Sequence, residues 1–179
     1  MVAAMSRLLV PQPIRVDAYA PFGDVLMASP RGEEGAVANL GLALRYDDVA
    51  ELVNLRPAAR LRTKIFRSRP VPCEERPVAL LEKHPRSTQI FVPMNGSRYL
   101  AVVAQGGDRP DLDTLSAFVV GANQGISYRP GIWHHPMLAL DQDTDFVALI
   151  HEDGTSDDCV ELPREDGWPV LDLQAIARG

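Results

Sequence analysis

The chain has 179 residues, 46% of them hydrophobic and 23% charged; this is the make-up of a globular domain rather than of a disordered or disulfide-stapled chain, and one domain over residues 1–179 that buries roughly 70% of its unfolded surface is expected. A net charge of −6 and a pI near 5.2 speak against nucleic acid or an anionic membrane as partner, because both call for a basic excess, and leave a small molecule as the expected ligand. No apolar run approaches the ~20 residues of a membrane span, and "MVAAMSRLLVPQPI" is too short and proline-broken for a signal peptide, so a cytoplasmic protein is expected.

In chain order, "DAYAPFGD" suits one helical turn, "GDVLMA" a strand and "DDVAEL" a weak second helix. The strands "TKIFRS", "PVALLE", "TQIFVP" and "RYLAVVA" follow, then a helical turn at "DLDTLS" and the strands "SAFVVG", "GISYRP", "PMLAL" and "DFVALIH". The tail "WPVLDLQAIARG" reads as a short helix or as extended chain. Fifteen prolines and thirteen glycines punctuate these short runs, which points to a mostly β sandwich or barrel. Asn95-Gly96 between two apolar runs predicts a two-residue hairpin turn. Cys73 and Cys159 lie far apart without metal-type spacing, and idle thiols are expected.

Chemistry concentrates in two places. Glu82 and His84 are two apart, hence on one face of a strand, with Gln89 five residues later; His134 and His135 follow a Pro-Gly turn. Neighbouring side chains of a strand point to opposite faces, so only one of these two histidines enters a given cavity. Separately, residues 56–69, "RPAARLRTKIFRSR", carry six basic residues and no acidic one. With period two, Leu61, Thr63, Ile65 and Arg67 form the more apolar face and Arg60, Arg62, Lys64 and Phe66 the other. Taking the first face as interior makes Arg67 a candidate for gripping a substrate carboxylate; an ion pair with Glu74 or Glu75 fits the pattern equally well. His151 ends an apolar strand as a rim or solvated residue, and Trp133 and Tyr128 read as core aromatics. No P-loop, dinucleotide fingerprint or G-x-S-x-G elbow occurs, and no organic cofactor is expected.

The first constellation resembles the paired motifs of the cupin superfamily, H-x-H with a following Glu and Gly, then a lone His after a Pro-x-Gly turn. On that pattern Glu82, His84, Gln89 and His134 occupy the ligand positions, with two ligand types changed. Such a mixed nitrogen and oxygen set suits one borderline divalent ion, Ni²⁺, Zn²⁺, Mn²⁺ or Fe²⁺; the same residues could instead hydrogen-bond one another or line an organic pocket. His134 takes the ligand position, and His135 a supporting one.

The strings "YAPFGDVL", "LEKHPRSTQIFVPMNG", "GGDRPDLDTLSAFVVGANQGISYRPGIWHHPM" and "DDCVELP" resemble the ureidoglycolate lyase family, formerly called ureidoglycolate hydrolase, from about Leu8 to Pro163. The resemblance implies a cupin-like double-stranded β-helix barrel with few short helices, a homodimer, and cleavage of (S)-ureidoglycolate to glyoxylate and urea, with nickel associated with some members. It places Glu82, His84, Gln89 and His134 in catalysis and as metal ligands, Arg67, Tyr128 and His135 at the substrate, and Trp133 beside them. This chain departs from the pattern at "HEDGTSDD", which leaves the register of His151, Glu152 and Asp153 open. Two other readings remain: a different metal-dependent cupin enzyme, a dioxygenase or isomerase on a small acid, and a non-catalytic binder of small carboxylates.

Overall fold

The computed structural model describes residues 7–178; the first six residues, part of the stretch read as too short and proline-broken for a signal peptide, lie outside them. Among the described residues the chain is mostly β, with two short α-helices, Val16–Tyr19 and Gln174–Arg178, and no helix is long and apolar enough to cross a membrane.

Two sheets carry the architecture. The seven-stranded sheet runs Val160–Pro163, Leu80–Lys83, Trp133–His134, Tyr99–Ala104, Ser116–Val120 and Gln12–Pro13, with Leu138–Ala139 also on Tyr99–Ala104. The five-stranded sheet runs Val25–Leu26, Gly125–Tyr128, Gln89–Pro93, Thr144–Glu152 and Arg60–Ser68. From Leu80 onward the chain passes back and forth between them, the winding of a cupin-like double-stranded β-helix, but no ladder joins the sheets into a closed barrel.

Tyr99–Ala104 explains how the layers stack. Its Tyr99, Ala101 and Val103 join the core between the two sheets with Phe91, Ile126, Tyr128 and Phe146. Its Leu100, Val102 and Ala104 join a second core with Leu81, Trp133, Trp168 and Leu171. A strand sealed on both faces reads as a continuous apolar run, as "YLAVVA" does. The second core is covered by a three-stranded sheet of Leu8–Leu9, Val170–Asp172 and Glu75–Pro77.

Several expectations change. Gln89–Pro93 and Tyr99–Ala104 lie in different sheets, and neither Asn95 nor Gly96 has a positive φ, so the predicted hairpin is a crossing between sheets. Its anchors are Met94 N–H to the Asp145 carbonyl at 2.8 Å and Asn95 Nδ2 to the Asp143 carbonyl at 3.0 Å. "PVALLE" divides between two sheets at Val78–Ala79, and neither "DLDTLS" nor "DDVAEL" is helical. The tail is both extended and helical, Val170–Asp172 and then Gln174–Arg178.

Candidate active site

The strands at the middle of the seven-stranded sheet build the site. His134 is in register with Val103 and with Glu82, so it faces the core between the sheets. Trp133 is in register with Ala104 and faces the second core, where its Nε1 donates to the Gly107 carbonyl at 3.2 Å. His135 lies just past the strand Trp133–His134: it is buried, its ring donates through Nδ1 to the Pro136 carbonyl at 2.6 Å, and it is not among the residues whose ligand atoms converge with His134. From the facing sheet comes Tyr128, in register with Gln89 and stacked on His134 at 4.0 Å and 10°.

Glu82, His84 and His134 bring their ligand atoms within 4.8 Å of one another. Glu82 Oε1 lies 3.4 Å from His134 Nε2, and the two imidazoles are 5.4 Å apart. Each ring is fixed from behind: His84 Nδ1 donates to the Asp158 carbonyl at 2.5 Å and His134 Nδ1 to the Ile132 carbonyl at 3.0 Å. Engaging Nδ1–H assigns the tautomer and leaves a lone pair on each Nε2. Four buried polar atoms here have no hydrogen-bond partner: His84 Nε2, His134 Nε2, Gln89 Oε1 and Tyr128 OH. Unpaired buried polar atoms are costly, and their convergence marks the place of a ligand.

The electrostatics agree. Burial alone would raise the Glu82 carboxyl, yet the neighbouring imidazoles, His134 foremost and then His84, hold it below its ordinary value. Burial, then His134, pushes the His84 imidazole down, so it stays neutral near pH 7. Burial and Glu82 keep the Tyr128 phenol protonated, a donor without an acceptor. Glu82 also stands directly opposite Glu161, a like-charge pairing that favours a cation beside it. The fold and the His/Glu group are compatible with a metal ion: two imidazole lone pairs, a carboxylate and an amide oxygen are the donor set of a borderline divalent ion. A second group, Glu82, Cys159 and Glu161, shares the carboxylate, but burial and Glu82 push the Cys159 thiol up to about 11, away from the thiolate that binds metals.

The stretch after the last long strand, whose register the sequence left open, is organised by Arg56. Its guanidinium donates to Asp153 at 2.7 Å, to Thr155 at 2.9 Å and to the Asp158 carboxylate. Asp158 also accepts from the Gly154 N–H at 2.6 Å. This loop presents the Asp158 carbonyl to His84. Glu152 faces inward and takes Lys64 at 2.6 Å, and the carbonyl of His151 accepts from Ser87 Oγ at 3.1 Å.

Arg67 is not brought to the cluster. In register with Asp145, it lies on the outer face of the five-stranded sheet in a two-pronged pair with that carboxylate, both contacts 2.7 Å, and neither Glu74 nor Glu75 is its partner. The face assignment is the reverse of the expected one: Phe66, Lys64 and Arg62 stand opposite the buried Phe146, Ala148 and Ile150. Arg62 shares a row with Ile150, Gln89 and Tyr128 across the sheet. An edge strand exposes both faces, so apolar content does not identify the inner one. Arg56 and Asp158 went unread, and Lys64, Glu152 and Cys159 were noted without a part in the site, because all five meet the cluster only through long-range register.

One family, described as ureidoglycolate lyase, matches residues 6–171, so the similarity extends beyond Pro163 into the strand Val170–Asp172. A ureidoglycolate lyase of Pseudomonas syringae pv. tomato is 35% identical over 155 residues, 87% of this chain and 89% of that one. One of Escherichia coli strain SMS-3-5 is 39% identical over 149 residues, covering 82% and 88%. Among solved structures, the dTDP-4-dehydrorhamnose 3,5-epimerase of Bacillus anthracis aligns with a TM-score of 0.42 at 15% identity over 66% of this chain and 74% of that one, a likeness too slight to bear on the site.

Proposed function

The chain belongs to the ureidoglycolate lyase family, and we infer that the cluster described above is where it cleaves (S)-ureidoglycolate to glyoxylate and urea. The observation that carries this reading is the convergence of partnerless buried atoms from His84, Gln89, Tyr128 and His134 around the Glu82 carboxylate. The substrate is a hemiaminal bearing a carboxylate. Its cleavage removes the hydroxyl proton, forms the aldehyde and releases the ureido nitrogen from the same carbon, with no change of oxidation state overall.

His134 Nε2 takes the hydroxyl proton, Glu82 beside it stabilises the imidazolium that forms, and that proton then passes to the departing ureido nitrogen as the C–N bond breaks, which completes urea and restores the neutral ring. Tyr128 OH, held protonated, donates toward the departing nitrogen or the forming carbonyl. The inward cations Arg62 and Lys64, rather than Arg67, receive the substrate carboxylate. Glu82, His84, His134 and Gln89 would hold one divalent ion, nickel among the candidates; when bound it would supply positive charge that acidifies the substrate hydroxyl. His135 supports the end of the His134 strand, its ring bonded to the Pro136 carbonyl. The protein works as a single domain, as a homodimer, in the cytoplasm.

The test is incubation of the purified protein with racemic ureidoglycolate, with urea, glyoxylate and ammonia measured separately, before and after chelation. Urea and glyoxylate should appear in equal amounts without ammonia. Stoichiometric ammonia would mean hydrolysis at the urea carbonyl and would overturn the reading.

A further inference from the structure

The segment "YAPFGD", residues 19–24, has no part in the site described above, yet it packs along the strand that carries Tyr128. On one side that strand, Gly125–Tyr128, pairs with Gln89–Pro93 up to Tyr128 itself. On the other side its ladder with Val25–Leu26 covers only Gly125 and Ile126, short of Tyr128. The turn before Val25 takes over there: the Ser127 N–H donates to the Asp24 carbonyl at 2.9 Å and the Arg129 N–H to the Phe22 carbonyl at 3.0 Å.

Side chains hold the same two neighbours of Tyr128. The buried Ser127 Oγ accepts from the Asp24 N–H at 2.8 Å and donates to Asp24 Oδ2 at 3.1 Å. The Ser127 carbonyl accepts from Tyr19 OH at 3.0 Å, and the Tyr19 ring meets Phe118 edge-on at 5.5 Å. Arg129 donates to the Ala20 carbonyl and reaches Asp24 Oδ1 at 3.4 Å. Asp24 is thus shared, one carboxylate oxygen serving Ser127 and the other Arg129. Gly23 permits the approach, because a Cβ there would lie 1.8 Å from the Ser127 carbonyl oxygen.

What lies between the two held residues gives this arrangement its consequence. Ser127 points to Asp24, so strand alternation turns Tyr128 the other way, where its ring stacks on His134 at 4.0 Å and its buried hydroxyl meets no protein partner. Nothing at the tip fixes the phenol, and its direction is set from the backbone behind it. We propose that Tyr19–Asp24 is the positioning element for Tyr128, and that Asp24, by holding Ser127 and Arg129 together, fixes where the phenol meets the reacting group. Asp24 lies outside the His/Glu cluster and acts through Tyr128. The proposal deepens the reading of the site given above and rests on it.

The test is steady-state kinetics and melting of the full chain carrying Asp24→Ala, Asp24→Asn, Tyr128→Phe, or Asp24→Ala with Tyr128→Phe. Asp24→Ala should lower kcat roughly ten- to a hundredfold with KM little changed, the cost of a displaced catalytic group. Asp24→Asn keeps an acceptor for Ser127 Oγ and should recover part of that loss. In the Tyr128→Phe background the same Asp24→Ala change should alter kcat about twofold or less, because the group it positions is gone. If Asp24→Ala does not fold, Ser127→Ala, which leaves the backbone contacts in place, replaces it in the cycle. An equal loss in both backgrounds, or an Asp24→Ala enzyme with wild-type kcat, would overturn the positioning role. Wild-type kcat in Tyr128→Phe would overturn it too, by removing the phenol from the reaction, while the product assay above still stood. A wild type that releases no urea and glyoxylate would instead overturn the functional reading itself.

Discussion

Tyr99–Ala104 and Arg60–Ser68 are both long strands, yet the first is sealed on both faces and the second is open on both. In the sealed strand each side chain has one available direction, and its neighbours inherit that constraint: His134, in register with Val103, is aimed into the core between the sheets. In the edge strand either face can meet water, and arginine, lysine, leucine and isoleucine alternate without a steep cost on either side. Chemistry that depends on fixed geometry therefore sits at the sealed centre, and recognition that tolerates adjustment sits at the open edge.

The sharpest way to break this comparison is at the paired histidines. His134→Ala removes the group that faces Glu82 and Tyr128 and should lower kcat about 10²- to 10⁴-fold. His135→Ala removes a buried ring engaged by the Pro136 carbonyl and should cost about tenfold or less in rate, with a lowered melting temperature. Steady-state kinetics on both variants settle the order. A more damaging loss at His135 would mean that alternation fails along Trp133–His135.

A second, smaller effect is expected from Arg56, which ties the Asp153 to Asp158 loop to the body and so holds the carbonyl that orients His84. Arg56→Ala should lower kcat about ten- to a hundredfold with little change in KM, because partners that orient a functional imidazole matter at that level. Arg56→Lys, keeping one charged contact, should restore part of it. A variant that melts lower but turns over normally would assign the loop a purely structural part.

The difference between the two strands also explains what the sequence disclosed. Glu82, His84, Gln89 and His134 were legible because period-two spacing and Pro-Gly punctuation act locally, and because neighbouring burial leaves one choice of face. Arg67 was misplaced because the edge strand offers two faces of similar apolar content, and only the pairing of Phe66 with Phe146 decides between them. The Asn95-Gly96 hairpin failed for a related reason. The local dipeptide suits a tight turn, but Gln89–Pro93 and Tyr99–Ala104 each find better partners in separate sheets, and tertiary pairing outweighs turn preference. Arg56, Asp158 and Glu152 belong to contacts about a hundred residues long or less regular than any strand period, and no local signal carries them.

The smallest effect should come from Arg67→Ala. Both prongs of its guanidinium are taken by Asp145 at 2.7 Å, and the side chain is 70% exposed, so water replaces the lost partner on each side and an exposed pair contributes little. Asp145, freed, stays on the outer face of the five-stranded sheet, whereas Glu82 belongs to the other sheet. KM and kcat should both stay within about twofold of wild type and the melting curve should superimpose, as for surface substitutions generally. A KM raised tenfold with kcat and melting unchanged would say that Arg67 reaches a substrate carboxylate after all. In this chain that requires the arginine to leave Asp145 and cross the sheet edge, which would make the open strand, and not the sealed centre, the part that sets substrate affinity.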